Sequence, residues 1–231
     1  MRIPILMYHS ILNDHNLSIS IKSFKKQMYL MKKIGYETIN LNELKIKDSK
    51  KKFVITFDDG YENIFLNAYP ILKELGFTAT CFLIPNKIGQ HNDWDQINKD
   101  YKKMNLMSHK QINELLNSGF EVGSHTLEHL DLTLLNKKNK IKQIIESKNK
   151  LENFFNINVK SFSFPYGHYD NEIINLLSDD YQFAVTTKPS IFDSNKFKYL
   201  EMPRVSINSN TSLFKFLIKV LSNYENYKFN K

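Results

Sequence analysis

The strongest constraint in this chain is an alternation of short apolar runs with segments of helical spacing, in which run after run stops at a polar residue. Ile3 to Tyr8 ends at His9-Ser10, and Phe53 to Phe57 (FVITF) stops at Asp58-Asp59-Gly60. Phe77 to Ile84 (FTATCFLI) gives way to a long polar stretch, 85 to 107, that holds Trp94. Phe120 to Ser124 (FEVGS) stops at His125, Ser161 to Phe164 (SFSF) at Pro165-Tyr166-Gly167, and Tyr181 to Val185 at Thr186-Thr187. Arg204 to Ile207 is a last short run. Between them lie helical segments. Ser20 caps one that runs to Ile34 with Phe24, Met28, Met31 and Ile34 on one face and Gly35 at its end. Asn63 to Leu75 is ended by Gly76, with Pro70 a kink point. Ser108 and Gln111 have the spacing of a capping box. Asn136 to Phe155 reads as one long amphipathic helix, Asp170 caps a helix through Leu177, and a helix spans about 211 to 221 before a tail, 222 to 231.

Strand–helix units of this size, with apolar strands, predict a parallel α/β sheet or barrel. No repeat, linker or composition break divides residues 1–231, so one domain is expected. Parallel strands share a direction. The residues just past them, His9, Asp58, Asp59, His125, Tyr166 and Thr186, should therefore gather at one C-terminal rim, where α/β folds place their sites.

Composition narrows the function classes. The chain has 231 residues and a net charge of +8, but only Arg2 and Arg204 among its 32 basic residues are arginine. A reader of nucleic acid needs the arginine fork for bidentate contacts, so the charge reads as solvated lysine and no nucleic-acid partner is expected. The single cysteine, Cys81, excludes an internal disulfide and a cysteine-based zinc site. No apolar run reaches the ~18–20 residues of a membrane span. The opening MRIPILMYHS meets His9 too early for a signal-peptide core and offers no small-residue cleavage site, so a cytoplasmic protein is expected. A chain trimmed ahead of this numbering would be extracytoplasmic.

Three motifs carry chemistry. Thr56-Phe57-Asp58-Asp59-Gly60 puts two carboxylates after a buried strand, which is costly unless something positive compensates. It is also the composition of a plain turn. Ser124-His125-Thr126-Leu127-Glu128-His129 spaces two imidazoles four apart; one helical turn or a tight loop would turn both to one side. Two histidines and an aspartate form a three-ligand set with an open position, the catalytic rather than the structural pattern. Phe164-Pro165-Tyr166-Gly167 is a turn that could aim a backbone N–H and a ring into the rim.

In this order, each at a strand end, the three motifs resemble those of polysaccharide deacetylases of the NodB-homology type, carbohydrate esterase family 4. The resemblance runs from about Ile3 to Ile207. It implies a distorted (β/α) barrel of about seven parallel strands and metal-dependent removal of acetyl groups from N-acetylhexosamine residues of a glycan. It assigns Asp59, His125 and His129 to a divalent ion, zinc foremost, with Co2+, Ni2+, Fe2+ or Mn2+ accepted by the same set. It assigns Asp58 as the general base toward a water at the ion, and the Tyr166 backbone N–H to the developing oxyanion. Pro165 and Tyr166 would line the substrate site, and Trp94 would be a stacking platform for a sugar.

Two departures accompany the resemblance. The family's third motif carries an arginine three residues before the tyrosine, where this chain has Ser163; its late Leu-x-His motif is absent, and Val185-Thr186-Thr187 stands at the comparable strand end. Arg204, in Met202-Pro203-Arg204-Val205, is the candidate to pair with Asp58 through its planar fork. His9, in Leu6-Met7-Tyr8-His9-Ser10, resembles the Tyr-His that opens the poly-N-acetylglucosamine deacetylase branch and is the candidate acid for the leaving amine. His15, His91, His109 and His168 are expected at the surface. The departures also support a competing reading: a non-catalytic protein that binds glycan or an anionic surface on a deacetylase fold.

Overall fold

The computed structural model describes residues 2–13, 18–45, 51–94, 96 and 101–229; His15 lies outside them. Eight strands organise it: β1 (Ile5–Tyr8), β2 (Tyr36–Thr38), β3 (Lys51–Phe57), β4 (Thr80–Leu83), β5 (Glu121–Ser124), β6 (Ser161–Ser163), β7 (Phe183–Pro189) and β8 (Met202–Ser206). Seven of them close a parallel barrel in the order β1-β8-β7-β6-β5-β4-β3. Pairing of Ile5 with Val54 through Tyr8 with Phe57 completes the ring. The expected seven-stranded (β/α) barrel is the observed one. β2 lies outside it, against the first residues of β3.

The helices are α1 (Ile21–Lys33), α2 (Tyr69–Leu75), α3 (His109–Asn117), α4 (Lys137–Ile141), α5 (Ser147–Phe155), α6 (Asn171–Leu177), α7 (Leu213–Leu221) and α8 (Tyr224–Phe229). Their starts follow side-chain chemistry. Ser20 Oγ accepts from Ser23 N, Ser108 and Gln111 form the reciprocal capping box, and Asp170 Oδ1 accepts from Ile173 N.

Four local expectations change. β7 does not stop at Val185; it runs through Thr186-Thr187 to Pro189, pairing Pro189 with Arg204 across an irregular register. The stretch expected as a tail holds α8, Tyr224–Phe229, which is tied back by a buried ion pair, Lys219 Nζ to Glu225 Oε1 at 3.1 Å. The segment from Asn63 opens with a π turn, Ile64–Ala68, in which Tyr69 N donates to Ile64 O just before Pro70. The wider turn makes room for a residue that lacks an N–H and would crowd the preceding carbonyl. The long helix after Asn136 is likewise interrupted by a π turn, Lys142–Glu146, between α4 and α5.

The barrel interior is read off the period-two alternation of its strands. Arg204 on β8 is fully buried and reaches β3, β6 and β7 through hydrogen bonds and lies over the Phe82 ring of β4, a span available only to a side chain inside the ring. Below it sits a second polar cluster. Glu121 accepts from Ser161 Oγ at 2.6 Å and Thr80 Oγ1 at 2.8 Å, and its Oε2 also accepts from the backbone N of Asn42. Burial pushes the Glu121 carboxyl above its ordinary value, although these donors oppose the shift. Gly123, between them, is required by space: a Cβ there would lie 2.6 Å from the Phe82 ring and 2.9 Å from Ser161 O. An apolar cluster including Val54, Phe82, Val185 and Met202 packs with Leu41 and Leu44, from the segment that leads into β3.

Candidate active site

Asp58 and His125 are each the first residue past a strand and are still pinned by the ladder. Asp58 N donates to Tyr8 O at 3.0 Å, and His125 N to Leu83 O at 2.9 Å. The ladders thus hold two chemically capable residues at the C-terminal rim, as the alternation of the sequence requires.

The two aspartates have different partners. Asp58 forms a bidentate pair with Arg204, Nη1 to Oδ1 and Nη2 to Oδ2, both at 2.7 Å. All five guanidinium N–H groups are used: Nε donates to Thr186 O, Nη1 also to Thr56 Oγ1 and Nη2 also to Ser163 Oγ. Ser163 Oγ in turn lies 3.3 Å from Asp58 Oδ2. The guanidinium therefore abuts the residue where the family's usual arginine would start. Burial alone would raise the Asp58 carboxyl; the charge and hydrogen bonds of Arg204, then the charges of His125 and His9, hold it below its ordinary value. Arg204 is no surface arginine.

Asp59 faces the imidazoles instead. Its Oδ1 lies 3.4 Å from His125 Nε2 and 3.4 Å from His129 Nε2. That oxygen is buried and accepts no hydrogen bond. Burial would raise this carboxyl, but the two imidazoles keep it well below its ordinary value. His125 Nδ1 lies 2.7 Å from Ser163 O, which fixes the ring with Nδ1 as donor and leaves the Nε2 lone pair for the rim.

These residues fit a divalent cation. Two ligands about 2.1 Å from one ion at the tetrahedral angle lie about 3.4 Å apart, the spacing seen on both sides of Asp59 Oδ1. The three ligand atoms fall within 4.8 Å of one another and all three residues are buried. Arg204 neutralises Asp58, whereas no lysine or arginine pairs with Asp59 among the described residues. Burial would lower the His125 imidazole, yet Asp59 and Asp58 raise it: the pocket draws positive charge.

The histidine pair lies on a tight loop, one of the two geometries its spacing allows. Thr126 and His129 take left-handed backbone, φ +64° and +61°. Thr126 Oγ1 accepts from His129 N at 3.0 Å, and buried Gln143 Oε1 accepts from Leu127 N and Glu128 N. Gln143 belongs to the π turn between α4 and α5, so that irregularity presents a side chain to the loop. Asp59 (φ +72°) and Tyr166 (φ +59°) are also left-handed. Four of the five non-glycine residues with positive φ among those described thus belong to this site, a concentration expected where function holds the backbone under strain.

The third motif is a turn over the same center. Gly167 N donates to Phe164 O at 2.9 Å, and a Cβ on Gly167 would lie 1.9 Å from Thr187 Oγ1. Tyr166 is 43% exposed, and its ring meets the His129 ring edge-on with centroids 4.8 Å apart. Pro165 is buried beside it. His9 is half-buried, and its charge acts on both carboxylates. Trp94 stacks on His129 with centroids 4.8 Å apart and planes 30° from parallel. An open groove of about 660 Å³ is walled by Trp94, Leu130, Leu134 and Tyr166, with His129 in its lining. His109 and His168 are exposed and His91 is half-buried; His168 pairs with Asp131 at 2.7 Å. Cys81 is buried.

Thr126, Gln143 and Thr56 are not legible as site residues in the sequence, where Ser163 reads only as a gap in the third motif. Their signal is small: polar residues at the ends of apolar strands or on a helix face, whose role depends on chain segments far away.

Barrel, rim and the buried Asp59, His125 and His129 together define a (β/α)-barrel protein with a candidate metal site at its C-terminal rim. Comparison with known proteins carries this further. A family model described as polysaccharide deacetylase matches residues 45–183. YxkH of Bacillus subtilis (strain 168), whose name places it among polysaccharide deacetylases, is 32% identical over 221 residues, covering 92% of this chain and 75% of that protein. The poly-beta-1,6-N-acetyl-D-glucosamine N-deacetylase of Staphylococcus epidermidis is 30% identical over 233 residues, covering 92% and 75%. The crystal structure of BC0361, a polysaccharide deacetylase from Bacillus cereus, matches with a TM-score of 0.83 at 29% identity, over 95% of this chain and 69% of that one. This chain belongs to the polysaccharide deacetylase family. Among its described residues no helix is long and apolar enough to cross a membrane.

Proposed function

We infer that this protein removes N-acetyl groups from N-acetylhexosamine residues of a glycan, with a divalent cation held by Asp59, His125 and His129. The observation that carries this is the division of labor between adjacent aspartates. Asp58 is held ionised by Arg204 within the same rim, while Asp59 turns an unbonded oxygen to two imidazoles. The cation would supply Lewis acidity at the acetyl carbonyl and acidify a nearby water. Asp58, ionised and unshared with the ligand set, accepts the proton of the attacking water. The Tyr166 N–H donates to the oxyanion; such a donor is worth roughly 3–4 kcal/mol. His9 protonates the leaving amine. Pro165, Tyr166 and Trp94 border the sugar. Arg204, with every donor used inside the protein, acts through Asp58.

The test is acetate release from β-1,6-linked N-acetylglucosamine oligomers and chitooligosaccharides, run beside metal analysis. Release that tracks a stoichiometric divalent ion, zinc first, supports the reading. A cation-loaded protein that binds these glycans without releasing acetate would leave the non-catalytic binding reading in its place. His125→Ala should lose the ion, since two ligands cannot complete the set; equilibrium dialysis against zinc checks it, and undiminished uptake counts against this ligand assignment. His9→Ala should lower kcat and flatten the alkaline limb of its pH profile. An unchanged profile removes His9 from the acid role.

A further inference from the structure

The polar segment between β4 and α3 ends up beside the proposed cation site, although nothing in its composition requires this. Its described residues are built around Asn92, which is 5% exposed. Asn92 Oδ1 accepts from Met104 N at 2.7 Å, its Nδ2 donates to Lys102 O, and its backbone O accepts from Tyr101 OH. Lys87 and Asp93 add an ion pair at 2.7 Å. This clamp delivers the sole tryptophan of the chain, Trp94, onto His129 as an offset stack, with Tyr61 on another side at 6.4 Å.

The two histidines differ in what fixes their rings. His125 sits at a ladder end with Nδ1 on Ser163 O. His129 is on left-handed backbone at the end of a short loop, and its imidazole packs between the indole of Trp94 and the edge of Tyr166. An imidazole needs its plane fixed to aim one lone pair, and a flat indole 4.8 Å away restricts rotation while keeping water off that face.

We propose that Trp94 is a positioning residue for the cation site, holding the His129 ring with Nε2 turned to Asp59, in addition to bordering the groove. The proposal rests on the cation reading above. It makes ion affinity depend on a residue that offers no ligand atom, and makes the only indole of the protein a reporter of the site.

The experiment measures Zn2+ affinity by competition with a chromophoric chelator for the full chain and for Trp94→Phe, Trp94→Leu and His125→Ala. Wild-type indole emission is followed during Co2+ addition. The expected result is about a 10- to 100-fold weaker Zn2+ affinity in Trp94→Leu, the range found for groups that orient metal ligands. Trp94→Phe, which keeps a ring, should recover most of it, and wild-type emission should be quenched at one equivalent of Co2+. A Trp94→Leu protein that binds Zn2+ like wild type and differs only in KM overturns the proposal and leaves Trp94 a sugar platform. A wild type that takes up no more Zn2+ than His125→Ala overturns the cation reading itself, and the proposal with it.

Discussion

Asp58→Asn is expected to lose turnover by about 10²- to 10⁴-fold, the usual contribution of a general base, while keeping its cation. Asp59, His125 and His129 are untouched by the change, so zinc uptake should match the wild type. The structure adds a second consequence. The amide cannot balance the buried guanidinium of Arg204, and breaking a buried pair from one side costs about 3–5 kcal/mol. For a chain of this size that is a fall in Tm of about 10 °C. The variant should therefore be inactive, metal-loaded and less heat-stable, all in one protein. Acetate-release kinetics, metal analysis and thermal unfolding at one pH check the three parts. A fully active Asp58→Asn protein would remove Asp58 from the base role, whatever its stability.

The parts of this molecule that were legible in the sequence are those governed by local rules. The barrel follows from apolar runs separated by helical segments. Ser20, Ser108 with Gln111, and Asp170 start helices because a side-chain oxygen can satisfy the first free N–H groups. The strand Tyr36–Thr38 escaped notice because Tyr-Glu-Thr is half-buried and has no apolar run; its pairing with β3 makes it a strand. β7 outruns its apolar run: Thr186-Thr187 looks like an exit, yet pairing continues to Pro189. The candidate site was legible as residue types at strand ends. Its backbone was not: positive φ at Asp59, Thr126, His129 and Tyr166 is imposed by the surrounding structure and not by any preference of those residues. Nor could spacing show that Arg204, more than 140 residues along from Asp58, would close five hydrogen bonds in the barrel. Only its rarity in a lysine-rich chain singled it out.

Replacing Arg204 should move the pH at which the enzyme works. Burial favours the protonated form of Asp58, and Arg204 is the largest influence opposing it. In Arg204→Met the opposition that remains, from His125 and His9, is weaker, so the carboxyl rises and the base is protonated over more of the acid range. The acid limb of kcat/KM should shift to higher pH. Arg204→Lys should shift it less, because an ammonium keeps the charge but cannot reproduce a planar fork with five partners. Stability follows the same sign. In the wild type the carboxyl lies below its ordinary value, so the pair's contribution is complete at neutral pH and is lost as pH falls through the folded-state value. In Arg204→Met a raised carboxyl reverses this, and the protein should gain stability as pH falls through that range. Pairing Arg204→Met with Asp58→Asn removes charge from both partners. The double variant should recover much of the stability that Asp58→Asn loses alone, with coupling of about 0.5–3 kcal/mol or more, but none of its turnover. An acid limb in Arg204→Met that coincides with the wild type would show that Arg204 braces the barrel without tuning the base.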